Sequence, residues 1–198
     1  MQKASLREQH AETARQRILA AVAELVERGD AAELTMAEVA GTSGISLRTV
    51  YRYYPTREQL LEAAARWIGG ELLRQPYPSS LDDVADSFED GCRVFDEQPG
   101  LVRALALSQL GRQVRGYRRG ERTDAIRQAL RDEVGDLSEP ELRHAEAILS
   151  YLHSMLAYTT LREEHGLSGE EIGTALGWAI RTLVDDLRRR QDTARREQ

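Results

Sequence analysis

A short segment at residues 47–54 concentrates side chains suited to binding a nucleic acid. In a helix, at roughly 100° per residue, Arg48 and Arg52 point to one side of this segment and Val50 points to the other. Arginine can donate two parallel N–H bonds to a guanine base, while hydroxyls and further cations can hold phosphate groups. The pattern therefore predicts a two-turn helix with an apolar back and a front whose chemistry matches a DNA major groove.

The helix before this segment is predicted from its capping residues. Thr35 and Glu38 have the spacing of a capping box, in which the hydroxyl and the carboxylate each accept a backbone N–H bond. A short helix is therefore expected over residues 36–42. Gly41 and Gly44 then supply the backbone freedom for a tight reversal of the chain.

Two further caps complete the local pattern. Ser46 precedes the arginine-bearing helix as its N-cap, and Pro55 requires that helix to end by the preceding residue. Thr56 and Gln59 have capping-box spacing and begin a third helix. A helix, a glycine-containing turn and a second helix form a helix-turn-helix unit. Such units occur in DNA-binding proteins and also in purely structural three-helix domains.

Residues 34–61, together with the helix before them, resemble the DNA-binding domain of the TetR family of transcriptional regulators. The shared pattern is a capped second helix, the turn, a Ser-x-x-Thr-hydrophobe-Tyr recognition helix, an aromatic residue and a basic residue at the start of helix 4. The matching positions are Thr35, Val39, Ala40, Gly44, Ser46, Thr49, Val50, Tyr51, Tyr54, Arg57 and Leu60. The resemblance covers about residues 14–64. Ser43 departs from the usual alanine, and Arg57 departs from the frequent lysine.

Together with the arginine-bearing helix, the resemblance implies a sequence-specific contact with a double-stranded DNA operator that is palindromic or near-palindromic. The residues expected to make it are Thr35, Ser46, Leu47, Arg48, Thr49, Tyr51, Arg52, Tyr53 and Arg57.

The composition is that of an ordinary globular protein, with 41% hydrophobic and 30% charged residues among 198. The net charge of −6 would argue against a nucleic-acid partner if it were spread evenly. Residues 1–58, however, hold eight basic and eight acidic side chains, so the excess acid lies elsewhere. The local field governs a contact surface, and DNA binding is therefore compatible with this charge.

The cellular location is predicted from features that the sequence lacks. Cys92 is the only cysteine, which excludes an intrachain disulfide and fits a reducing compartment. There is no apolar run of 18 or more residues and no signal-peptide core, so a cytoplasmic protein without a membrane partner is expected.

The N-terminal part is expected to be a DNA-binding head. Residues 1–12 lack a hydrophobic face, which predicts a mobile arm. Helix 1 is expected to begin after Thr13 and to end near Gly29. Helix 4, at about residues 56–74, should end before Pro76 and link the head to the body.

The remaining chain shows helical apolar spacing and no strand-like alternation. Further helices are expected at 81–95, from Pro99, at 125–134, at 138–166 and at 168–188, with fraying beyond. The predicted fold is all-α, with a three-helix head at 1–54 and a larger effector-binding and dimerisation body at 55–198.

A lapse in the apolar pattern at residues 111–120 contains Arg112, Arg115, Arg118 and Arg119. We interpret this stretch as a solvated loop. The alternatives are a second DNA contact or a site for an anionic ligand.

A homodimer is predicted from the last two long helices, because they are apolar over more than one face. Gly173 and Gly177 weaken a helix interior by about 1 kcal/mol each, which favours a close helix approach as their cause. A four-helix, two-fold interface is expected, as the resemblance also implies. The alternative is that both helices fill a monomer core. The interface residues would be Leu149, Leu152, Leu156, Ile172, Gly173, Leu176, Gly177, Ile180, Leu183 and Val184.

The resemblance further implies a body pocket for a small organic effector that releases the protein from DNA. Aromatic and polar-tipped side chains are the candidates to line it, although each taken singly is better explained as ordinary core. They are Trp67, Phe88, Cys92, Phe95, Tyr117, Tyr151, His153, Met155 and Tyr158.

Catalysis, cofactors and metals are not expected. Glu141 and His144 have the spacing of a di-iron motif, but the second copy that such a site needs is missing. The sequence therefore favours an effector-released dimeric repressor over two alternatives, a constitutive repressor without a pocket and a helical enzyme or metal carrier.

Overall fold

The computed structural model describes residues 6–28, 34–73 and 77–196, and these residues form helices and connecting turns without a strand. A π-helical segment, Ile68–Leu72, continues the fourth helix. The α-helices are α1 (Leu6–Arg28), α2 (Met36–Ser43), α3 (Leu47–Tyr53), α4 (Arg57–Trp67), α5 (Leu81–Glu97), α6 (Pro99–Leu107), α7 (Gln109–Val134), α8 (Glu139–Leu152), α9 (Met155–His165) and α10 (Gly169–Arg196). The all-α prediction is confirmed. None of the helices in these ranges combines the length and apolar character needed to cross a bilayer.

The three helices of the head are held together and against α4 by apolar side chains from each of the four helices. Ile18 of α1, Val39 of α2, Val50 of α3 and Leu60 of α4 are all fully buried. Burying such a side chain contributes about 1.5 to 3 kcal/mol. The short α2 and α3 are therefore held by packing, because helices of seven or eight residues are unstable in isolation.

The predicted caps position these short helices. The capping box between Thr35 and Glu38 is present, and the Ser46 hydroxyl accepts the Thr49 N–H at 3.3 Å. Thr56 accepts the Gln59 N–H at 3.2 Å, which is the hydroxyl half of the predicted box.

The reversal between α2 and α3 depends on one glycine. Gly44 has φ of 66°, in the left-handed region, and it ends α2 as predicted. The role assigned to Gly41 was wrong, because this residue lies inside α2 and has no positive φ.

The predicted start of α1 was also wrong. The helix begins at Leu6, and the Thr13 hydroxyl donates to the Gln9 carbonyl from within it. A hydroxyl can be satisfied in this way inside a helix, so its spacing alone did not mark the N-terminus. Gly29 and Pro76, the predicted helix ends, lie outside the described residues.

The arginine-rich stretch is helical, and the predicted loop at residues 111–120 was wrong. It belongs to α7, whose N-cap Ser108 accepts the Gly111 N–H at 2.9 Å. Leu110, Val114 and Ile126 bury the apolar side of this helix. Arginine is a good helix former, so the stretch needs few apolar residues.

The single long helix predicted at residues 138–166 is two helices. α8 ends at Leu152, and Ser154 caps α9 by accepting the Ala157 N–H at 3.2 Å. Gly166 ends α9 in the left-handed conformation, as expected from the sequence.

α10 continues to Arg196, so the fraying predicted after residue 188 was wrong. Arg188 pairs with Asp82 of α5 and Glu133 of α7 at 2.8 and 2.6 Å. Asp136 accepts bonds from Arg195 and from the buried Gln191 at 2.6 and 3.0 Å. These contacts hold the last turns against the body.

The close approach that Gly173 and Gly177 permit occurs within one chain. A Cβ atom on Gly173 would lie 3.4 Å from the Cα atom of Glu89, and one on Gly177 would overlap the Glu89 carboxylate. Most of the predicted interface residues are therefore core of a single chain. The buried ones are Leu149, Ile172, Gly173, Leu176, Gly177, Ile180 and Val184, and the half-buried ones are Leu152, Leu156 and Leu183.

Asp96 joins α5 to α9 and to the start of α10. Its carboxylate accepts bonds from the Tyr158 hydroxyl at 2.5 Å and the Gly169 N–H at 2.9 Å, and it pairs with Arg162. Burial alone would raise the pKa of Asp96, but these bonds outweigh burial and lower the pKa below its usual value.

We expect Asp96→Asn to destabilise the fold by about 1 to 2 kcal/mol at pH 7, because charge-assisted hydrogen bonds are lost. Since the pKa is lowered in the folded state, the stabilisation is present at neutral pH and disappears as pH falls through the folded pKa. Urea unfolding at pH 7 and near pH 3 should show the variant approaching the wild type in acid.

Asp90→Asn is the control, because Asp90 is an exposed residue of α5 whose ion pair with Arg93 stays within that helix. A loss of stability for Asp96→Asn that does not shrink in acid would contradict the assigned role.

Candidate nucleic-acid interface and body cavity

The front of α3 is open to solvent. Arg48 and Arg52 are exposed, and Leu47 and Tyr51 are 42% and 47% accessible. Arg48 makes no hydrogen bond or ion pair with any residue that the structure describes. Its guanidinium is therefore available to an external acceptor, while Val50 on the opposite side is buried.

Tyr53 lies between two arginines at the edge of this front. The guanidinium carbons of Arg15 and Arg52 are 5.2 and 5.0 Å from the centre of its ring. Cation–π contacts of this kind attract by about 0.5 to 1 kcal/mol at exposed sites. They bring a cation of α1 next to those of α3, on the same side of the head.

The hydroxyl groups of Thr35, Ser46 and Thr49, which were predicted to contact DNA, already have partners. Ser46 donates to the Thr49 hydroxyl at 2.9 Å, and Thr35 donates to Glu38 at 2.7 Å. The bonds from Thr35 lower the pKa of Glu38, which therefore stays ionised beside it. A phosphate at Thr35 would compete with this carboxylate.

The turn is fixed by three hydrogen bonds, of which the two made by the Ser43 hydroxyl would be impossible for the usual alanine at this position. The Ser43 hydroxyl donates to the Ala40 carbonyl and accepts the Ile45 N–H, both at 3.3 Å. Arg17 of α1 donates to the Ser43 carbonyl at 2.7 Å. These bonds set the angle between α2 and α3.

Arg57 does not face outward in the structure. Its Nε donates to the Leu34 carbonyl at 2.8 Å, just before α2, and its Nη2 donates to Gln113 of α7 at 2.7 Å. The guanidinium thus connects three parts of the molecule, namely the start of α2, the start of α4 and the body.

A partly enclosed cavity of about 40 Å³ lies where α4 and the π-helical segment meet α6, α7 and α9. Its apolar wall contains Ala65, Ile68, Leu73, Leu105, Val114 and Met155, with Gly69 beside them. Its polar wall contains Tyr77, Arg115, Arg119 and Arg122. The cavity borders the helix that leads to the head and the helix that carries Gln113.

Of the residues predicted to line an effector pocket, only Met155 lines this cavity. Phe88, Cys92, Phe95, His153 and Tyr158 are buried and form a packed cluster. In it the Phe95 and Tyr158 rings meet edge to face at 5.1 Å, and the Phe88 and His153 rings lie 5.3 Å apart. Tyr117 and Tyr151 are exposed, and Trp67 packs against the core that α4 shares with the head.

Two buried groups of this cluster have strongly shifted pKa values. The pKa of the Cys92 thiol is raised to about 12, mainly by burial and further by the nearby carboxylates of Asp96 and Glu89. Burial and the positive charge of Arg122 lower the pKa of His153 to about 4. Both groups are therefore uncharged at neutral pH.

The sequence contained a signal for the cavity that the loop interpretation missed. Arg115, Arg119 and Arg122 are spaced i, i+4, i+7, which places them on one face of a helix. The described residues contain no group of three or more His, Cys, Asp or Glu side chains arranged to hold a metal ion.

Comparisons with known proteins agree with this geometry in the head. Residues 18–64 match the family model described as bacterial regulatory proteins of the tetR family. No curated protein matches the chain. Among solved structures, a TetR transcriptional regulator from Rhodococcus sp. RHA1 is similar, with 19% sequence identity, a TM-score of 0.45 and alignment over 87% of this chain and 96% of the other.

The family match covers α2 and α3 completely, with the supporting parts of α1 and α4. It therefore includes the exposed Arg48 and the buried Val50 that holds α3 in place. Residues 18–64 of this chain are therefore similar to bacterial regulatory proteins of the tetR family.

Proposed function

We propose that the protein is a dimeric repressor that a small organic effector releases from its operator. In this proposal residues 1–54 form the reading head, and residues 55–198 form the body that binds the effector and the second subunit. The observation that carries it is the position of the cavity. The cavity is bounded by α4 and α7. A hydrogen bond between Arg57 of α4 and Gln113 of α7 joins these two helices.

In the head, α3 would enter the major groove. Arg48 is the proposed base-reading residue because its guanidinium is exposed and uncommitted, whereas Arg52 is steered by Tyr53. Tyr51 would donate its hydroxyl to a phosphate. Arg57 would act inside the protein as a brace, in place of the phosphate contact expected from the sequence.

The proposed dimer uses the outer face of α8 and α10. Ile148, Tyr151 and Trp178 are 43%, 47% and 71% exposed, which is unusual for large apolar side chains on two neighbouring helices. A groove of about 180 Å³ between the helices is lined by Ile148 and by Leu183 and Leu187. A two-fold pairing of these faces would give a dimer with two copies of α3, and the half-sites that such dimers read lie about 34 Å apart.

The response to an effector requires two states that bind it differently. To change operator occupancy from 99% to 1%, the effector must favour the non-binding state by about 5.5 kcal/mol, or roughly 10⁴-fold. Widening the cavity would displace α4 or α7 and strain the bonds of Arg57. The alternative, a constitutive repressor, would need no cavity between α4 and α7.

For the DNA contact, we expect Arg48→Ala to weaken operator binding by about 1 to 3 kcal/mol and to relax the preference at one base pair in each half-site. Tyr51→Phe should weaken specific and random duplexes about equally, because a phosphate contact carries no sequence information. Fluorescence anisotropy on an operator obtained by footprinting, at fixed salt, measures both effects.

Arg93→Ala is the matched control, since Arg93 is an exposed arginine of the body whose ion pair with Asp90 lies within α5. Equal behaviour of Arg48→Ala and Tyr51→Phe on operator and random DNA would refute the assigned roles.

For the dimer, we expect Trp178→Glu to raise the dimer dissociation constant at least 30-fold, about 2 kcal/mol, because a central aromatic contact is replaced by a charge. Leu107→Glu, at an apolar residue of α6 that is 37% exposed, should leave it unchanged. Analytical ultracentrifugation measures both variants. A Trp178→Glu protein that remains as dimeric as the wild type would place the interface elsewhere.

For the contact between Arg57 and Gln113, we expect Gln113→Leu to speed amide hydrogen exchange several-fold in α2 and at the start of α4. The reason is that Arg57 loses a hydrogen bond worth about 1 kcal/mol or more. Exchange in α5 and α10 should not change.

Gln128→Leu on the same helix is the control, because the Gln128 amide donates to Asp132, one turn away on α7 itself. If both variants affect the head alike, Gln113 does not connect the head to the body.

A further inference from the structure

We infer that the body cavity binds an organic oxyanion, with a carboxylate held by Arg115, Arg119 and Arg122 and an apolar chain against the opposite wall. This inference rests on the proposed function, because it names the chemical class of the effector. It follows from the charge, burial and bonding of the cavity walls.

The polar wall has an excess of positive charge. Arg115 and Arg119 form neither an ion pair nor a hydrogen bond within the described part of the chain, and the Nε atom of Arg115 is buried without a partner. Like charges one turn apart destabilise a helix. A buried donor without an acceptor adds a further cost.

The neighbouring groups do not neutralise Arg115. Burial and then the positive charges of Arg119 and Arg112 lower its pKa, so the local field is unfavourable to the guanidinium. Glu121 accepts the hydroxyl bond of Tyr77 at the cavity edge. His153 carries no charge at neutral pH.

An oxyanion would relieve these costs. Guanidinium groups match a carboxylate geometrically, and charge-assisted bonds are about twice as strong as neutral ones. By contrast, a neutral ligand would leave the like charges as they are, and a cation would add to them.

The opposite wall selects an apolar chain. Leu73, Leu105, Val114 and Met155 offer no charged group to a ligand. The present volume of about 40 Å³ accommodates only a few waters, so binding must widen the cavity. One of the walls that would move is the π-helical segment, which continues directly into α4 and the head.

The test uses the full-length protein and isothermal titration calorimetry with hexanoate, 1-hexanol, hexylamine and inorganic phosphate. Hexanoate should bind at least tenfold more tightly than each of the other three. Arg115→Met and Arg119→Met should each reduce the affinity for hexanoate at least tenfold and leave that for 1-hexanol within about twofold.

Arg131→Met is the matched control, because Arg131 is an exposed arginine on the same helix, about 24 Å further along at 1.5 Å per residue. The Arg131→Met protein should bind hexanoate with the same affinity as the wild type. Thermal unfolding of each variant confirms that it is folded. If Arg115→Met does not fold, Arg119→Met alone provides the test.

Equal binding of hexanoate and 1-hexanol, or affinity unchanged by both cavity variants, would overturn the oxyanion assignment. Phosphate binding as tightly as hexanoate would overturn the apolar part of it. If hexanoate binds through the arginines without changing operator affinity, the ligand class stands and the proposed effector response fails. If hexanoate does not bind while the dimer holds its operator, the ligand class fails and the DNA-binding role stands.

Discussion

The two hydrogen bonds of the Arg57 guanidinium are the constraint on which the rest of the molecule depends. The bond to the Leu34 carbonyl fixes the start of α2, and the bond to Gln113 fixes α4 against α7. The short helices of the head have little stability of their own, so their orientation depends on these two hydrogen bonds. A lysine at this position could not hold both acceptors with a rigid planar group. In the proposed mechanism, Arg57, which replaces the frequent lysine, is therefore the residue that couples DNA binding to effector binding.

In the proposed mechanism, α7 couples the cavity arginines to the head. Gln113 and Arg115 are two residues apart on α7, so a ligand that shifts Arg115 moves a helix already bonded to α4. The packing of α4 between the head core and the cavity makes it the shared wall of both regions. Such a shared rigid element can couple two sites without a long chain of intermediate contacts.

Local chemistry made the head predictable from sequence. Thr35, Ser46 and Gly44 act within three or four residues of their own positions, so their spacing was sufficient to locate α2 and α3. The front and back of α3 followed from periodicity, and the structure exposes Arg48 and buries Val50 accordingly. The start of α1 could not be located in this way, because a threonine can satisfy its hydroxyl inside a helix.

The body was less predictable because its interactions are long-range. α7 has few apolar residues, and its helix is supported by α4 and α6, which the sequence does not place beside it. Gly173 correctly signalled a close helix approach, but nothing in the sequence distinguishes Glu89 of the same chain from a residue of a second subunit. Phe88, Phe95 and Tyr158, which were expected to line a ligand pocket, pack together, and the contact between Phe95 of α5 and Tyr158 of α9 joins helices that are distant in the sequence.

The environment of Cys92 restricts the kinds of signal that the body can register. The thiolate is the form that reacts with peroxides and disulfides, and a pKa of about 12 leaves on the order of one molecule in 10⁵ in that form at neutral pH. The thiol is also completely buried among Phe88, Phe95 and their neighbours. Since this is the only sulfhydryl in the chain, oxidants find no reactive cysteine to act on. In the proposed mechanism, the body therefore responds to occupancy of a site and not to oxidation of its thiol.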